Sequence, residues 1–131
     1  MSAGIYERIR YDAEALTDFA EGLLLAAGLQ QAAARDVAEV LVEGDLLGHD
    51  THGLQLLAPY LAELDKGTMT RIGEPEVVNQ RASVATWDGH RLPGPWLVRR
   101  AGAQCSGASS SRPRTCSSMW VSAAGSTGRT K

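Results

Sequence analysis

The stretch from Gly44 to Gly67, GDLLGHDTHGLQLLAPYLAELDKG, constrains this chain more than any other. Gly48 and Gly53 bracket a polar turn, His49-Asp50-Thr51-His52, where the backbone can bend sharply and approach a ligand closely. Beyond the turn, Leu54, Leu57, Leu61 and Leu64 recur at helical spacing. Two imidazoles are therefore pinned between apolar helices, which is how a protein holds a reactive side chain in fixed geometry. Chemistry in this chain is expected to start here.

The residues before that turn read as two helices. Residues 12–27 put Leu16, Phe19, Ala20, Leu23, Leu24 and Ala27 on one face, with Asp12 as N-cap and Gly28 as a left-handed C-cap ahead of Leu29. Residues 30–47 turn Ala34, Val37, Ala38, Leu41 and Leu46 inward and Arg35, Asp36, Glu39 and Glu43 outward, and Gly48 ends them. Asp45 falls near the buried seam and reads equally as an ordinary exposed helix residue. Thr51 can cap a third helix ending at Gly67, which Pro59 must kink or divide.

After Thr68 the period changes. Residues 76–79 and 82–87 read as two short strands with a turn near Gln80-Arg81, and Asp88-Gly89 is a strong turn signal. Pro93-Gly94-Pro95 precedes the opening turns of a helix that is expected to stop near Arg100. The fold class is thus mainly α with a short β element. Residues 1–67 form a three-helix region, 68–100 the β element and helix start, and 101–131 a low-complexity tail.

Composition matters here because it breaks. Residues 1–100 carry nine basic and all fifteen acidic residues, whereas 101–131 carry four basic residues, no acid and no leucine. Such a shift is expected of a disordered tail or of a frameshifted reading of a GC-rich gene. The net charge of −2 disfavours nucleic acid as a partner, since phosphate binding wants a basic face. No apolar run approaches the roughly 18 residues of a membrane span. Glu7, Asp12 and Glu14 occupy the place of a secretory signal's apolar core, so the chain reads as cytoplasmic.

His49 and His52 have metal-ligand types at a spacing of three, but His90 is the only other histidine and the helical zinc-protease glutamate is missing. No metal site is expected. Acid–base chemistry suits the same residues, because an imidazole titrates near working pH and a carboxylate such as Asp50 could orient it. Two capping histidines at a helix junction would look the same from composition alone. Cys105 and Cys116 lie in the tail and form no CxxC. The chain also contains neither GxGxxG nor GxxxxGK[ST].

Residues 41–53, LVEGDLLGHDTHG, followed by Pro59-Tyr60-Leu61 and Lys66-Gly67, resemble the N-terminal part of the type-2 malate/L-lactate dehydrogenase family. Val84-Ala85-Thr86-Trp87-Asp88-Gly89 and Leu92-Pro93-Gly94-Pro95 add to the resemblance, which covers roughly residues 10–100. It implies an NAD- or NADP-dependent oxidoreductase of 2-hydroxy or 2-oxo acids, ureidoglycolate or cyclic imino acids, working as a homodimer at full length. It further implies that His52 is the proton donor and acceptor, with Thr51 beside it as a substrate or cofactor contact and His49 as a substrate contact. Many members carry an arginine four residues after that histidine, where this chain has Leu56. Members are also much longer, with the dinucleotide-binding segments beyond the region matched. The chain therefore reads as a truncated N-terminal fragment that binds no cofactor alone. A small non-catalytic helical interaction module is the alternative.

Overall fold

A computed structural model describes residues 10–81 and 84–107. Its elements are α1 (Ala13–Ala26), α2 (Gln31–Leu46), two 3-10 turns (Asp50–His52 and Leu54–Leu56), α3 (Leu57–Lys66), β1 (Glu76–Arg81), β2 (Val84–Asp88) and α4 (Gly94–Gly107). The molecule is mainly α with a two-stranded antiparallel sheet, as the sequence reading expects.

Three helices end by one device. Gly28, Gly48 and Gly67 take φ of 89°, 78° and 72°, a region that favours glycine. The next amide then reaches back into the helix: Leu29 to the Leu24 carbonyl at 3.0 Å, His49 to Gly44 at 2.8 Å and Thr68 to Glu63 at 3.1 Å. At the other end of α1 the Asp12 carboxylate accepts from the Ala15 amide at 2.9 Å, so Asp12 is its N-cap.

The core forms where α1, α2, α3 and α4 meet. Ala20 and Leu24 of α1 face Ala33, Ala34, Val37, Ala38 and Leu41 of α2, all of them buried, and the alanines let the two backbones come close. Leu57, Leu64, Leu92, Trp96 and Leu97 complete the cluster. Thr17 is buried too, its hydroxyl donating to the Ala13 carbonyl at 2.8 Å.

Several sequence expectations change. Phe19 and Leu46 were expected inward, yet they are 62% and 71% exposed. The packed stripe on α1 runs Thr17, Ala20, Leu24, which leaves Phe19 to one side, and Leu46 lies past the end of the stripe on α2. Thr51 does not cap α3, which starts at Leu57 with Pro59 in its first turn, where a missing amide costs nothing. Pro59 thus divides the segment, and residues 50–56 run as two 3-10 turns. Gln80 and Arg81 are paired with Ala85 and Val84, so they belong to β1 and make no turn; the register slips between Val77 and Asn79 instead. Ala82 and Ser83 lie outside the described residues. The last helix does not stop near Arg100 but continues to Gly107. The remainder of the expected tail, from 108, lies outside the described residues.

Ion pairs fasten α4 to α2. Arg99 meets Asp36 at 3.1 Å and also pairs with Glu39, while Arg35 meets Glu39 at 2.6 Å and Asp18 and Glu21 of α1 at 3.0 Å. Arg100 lies 5.1 Å over the buried Trp96 ring and pairs with Glu74 at 2.5 Å. Among the described residues, no helix is long and apolar enough to cross a membrane.

Candidate active site

Backbone builds the turn between α2 and α3 before any side chain contributes. The His49 amide is already spent on the Gly44 carbonyl; the His52 amide donates to the His49 carbonyl at 2.7 Å and the Gly53 amide to that of Asp50 at 3.3 Å. A Cβ on Gly44 would sit 2.7 Å from the His52 carbonyl oxygen, and one on Gly53 would sit 1.7 Å from Asp45 Oδ1. The turn therefore lies flat on the last turn of α2, with hydrogens where side chains would stand. Glycine is required at 44 and 53 for close approach.

The side chains follow from that backbone. Residues 49–52 are all exposed. The His52 ring has its Nδ1 3.0 Å from Thr51 Oγ1. A hydroxyl both donates and accepts, so it satisfies Nδ1 in either protonation state and leaves Nε2 for exchange with a ligand. The group beside Nδ1 is thus Thr51, where the sequence offered Asp50 as a carboxylate that could orient the ring. Asp50 contributes its carbonyl to the turn.

Asp45, left open by the sequence, is half-buried, and its Oδ2 accepts from the Leu54 amide at 2.9 Å. Periodicity near the seam was the only signal that could have found it. His90 lies elsewhere, in the turn that follows β2, 3.5 Å from both Glu76 and Asp88. His49 and His52 are joined through backbone, not through their rings. Among the described residues, no group of three or more His, Cys, Asp or Glu surrounds a common ion position. Leu56 packs against the core, so no charged group projects from the place where an arginine clamp was considered. Burial pushes the Tyr60 phenol up from its ordinary range, which keeps it neutral.

A family model described as malate/L-lactate dehydrogenase matches residues 11–121. The chain belongs to this dehydrogenase family. The match extends past Arg100, where the sequence resemblance was taken to end. Hydroxycarboxylate dehydrogenase B of Escherichia coli K12 is 28% identical over 85 residues, 65% of this chain and 24% of that protein. A dehydrogenase from Sinorhizobium meliloti superposes with a TM-score of 0.69 at 31% identity, over 76% of this chain and 31% of that one. Malate dehydrogenase from Pyrococcus horikoshii OT3 superposes at 0.68 with 29% identity, over 70% and 26% of the two chains. The chain thus spans about a quarter of the length of the curated relatives it matches.

This dehydrogenase family implies NAD(P) use by the intact enzyme. A glycine-rich turn leading from a strand into a helix would let a pyrophosphate approach backbone. Here the chain has no GxGxxG between β2 and α4. A Cβ on Gly89 would meet Leu97 Cδ1 at 2.5 Å, so that glycine serves packing against α4, and Gly94 stands alone in open space at the start of the helix. The described residues do not fit a dinucleotide cradle of that kind, and none of the chemistry below passes through one.

Proposed function

We propose that the chain is part of a cytoplasmic NAD(P)-dependent oxidoreductase of 2-hydroxy acids or related substrates, with His52 as its acid–base. The observation that carries this reading is the His52 ring: exposed, held at Nδ1 by Thr51, and set on a turn tied by backbone to α2. Oxidation of a carbinol removes a hydride from carbon and a proton from oxygen. A nicotinamide held by the intact enzyme would be the acceptor for that hydride. His52 Nε2 accepts the hydroxyl proton and returns it in the reverse direction. Thr51 and His49, exposed in the same turn, are substrate contacts on this reading. The intact enzyme is a homodimer on this reading, and the chain by itself binds no nicotinamide and turns over no substrate.

Truncation by a change of reading frame is part of the proposal. Its support is the joint loss of acids and leucines after residue 100; the family match through residue 121 weighs against a change that early. Sequencing the DNA downstream of codon 100 tests it. An alternative frame that encodes helix–strand periodicity supports truncation, and immediate stops in both other frames refute it.

A further inference from the structure

We infer that Asp45 is the positioning residue of the His52 turn, acting through backbone rather than on the reacting atoms. The inference rests on the reading of His52 as proton carrier only for its functional meaning.

A carboxylate in the last turn of a helix faces the negative end of the helix dipole, so its place there is unfavourable in isolation. Asp45 instead turns to the start of the next segment. Its Oδ2 accepts from the Leu54 amide at 2.9 Å, one of the amides that an N-terminus leaves without a helical partner. Its Oδ1 occupies the space beside Gly53 that any other residue's Cβ would fill, at 1.7 Å. The side chain from one helix thus caps the next, across nine residues that contain the whole turn. Gly44, its neighbour, carries the other two restraints, accepting from the His49 amide and lying under the His52 carbonyl. His52 is therefore gripped from both sides in sequence: Gly44 through the His49 amide before it, Asp45 through Gly53-Leu54 after it. Without the Asp45 bond the downstream side keeps its local turn bonds, Gly53 to Asp50 and Leu56 to Gly53, and the packing of Leu54. It loses its side-chain tie to α2, and the imidazole's platform loosens.

NMR of the 131-residue chain tests this without turnover, so failure of His52 as a catalytic base would not disturb the result. In the unmodified chain a through-hydrogen-bond coupling should link the Leu54 amide nitrogen to the Asp45 carboxyl carbon. In Asp45→Ala, exchange of the Leu54 amide should rise roughly tenfold, as for loss of a hydrogen bond to a charged group. The His52 ring nitrogens should shift with it, while α1 amides keep their protection. Asp45→Asn keeps an accepting oxygen without charge and should restore both readouts. Overturning results are an absent coupling when helix couplings are visible, unchanged exchange in Asp45→Ala, or Asn behaving like Ala. If Asp45→Ala fails to fold, the coupling and the Asn variant decide the question.

Discussion

Gly53 shows how far single residues set this site. Its hydrogen faces the Asp45 carboxylate at a distance no methyl group can occupy. Gly53→Ala should destabilise the chain by about 1–3 kcal/mol, as overpacking does, and should shift His52 resonances more than those of α1. A denaturant titration with paired NMR spectra checks both. Asp12, Gly28, Gly48 and the His49–His52 turn were legible because capping and glycine chemistry are local. Asp45, Phe19 and Leu46 were not, because each is decided by what a neighbouring helix brings to it. In the resemblance-based role for Thr51, loss of its hydroxyl should leave Nδ1 without its partner. Thr51→Ala is expected to cut turnover of a full-length enzyme, by less than loss of the imidazole.

Among the elements, α4 is held to α2 by charge as well as by its buried Trp96 and Leu97. Hydrogen bonds from Arg99, then from Arg35, hold the Glu39 carboxyl below its ordinary range. A carboxylate so depressed contributes stability above its unfolded pKa and loses it as pH falls through the folded value. Glu39→Gln should therefore lower the melting temperature by a few degrees at neutral pH, and the gap should close in acid. It should also shrink in concentrated salt, because these groups are partly solvated. Thermal melts at several pH values and salt concentrations read this directly. Tyr60 has the opposite sign: its raised pKa leaves stability intact below the ordinary tyrosine range and withdraws it as pH climbs through the folded value. Helix α4 also marks where sequence reading failed. Small and polar residues after Arg100 showed no apolar period, yet Ala101 is buried and the helix continues to Gly107.

For the whole molecule, the question is what covers its apolar surface. Leu24, Leu41 and Leu57 are buried in this chain's own core. Among the described residues, exposed large apolar side chains include Phe19, Leu46, Leu47, Ile72, Val77, Val78 and Val84. A chain that spans about a quarter of its relatives is expected to leave such residues uncovered. It should then bind a hydrophobic dye and associate at high concentration, whereas a monomer with a sharp melt and no dye binding would favour the interaction-module reading. The family was legible in residues 41–53 because a backbone-built turn needs a particular sequence. Substrate was not, since Leu56 stands where a clamp was considered and packs inward.

The most direct test compares His52→Ala with His49→Ala in an enzyme restored to its relatives' length. The rate of 2-hydroxy acid oxidation and nicotinamide binding are measured for each. Loss of a general acid–base should cut kcat by about 10²–10⁴ in His52→Ala while cofactor binding holds, and His49→Ala should lose far less. Equal losses at the two positions, or cofactor binding lost in both, would contradict the account and leave His52 a structural residue.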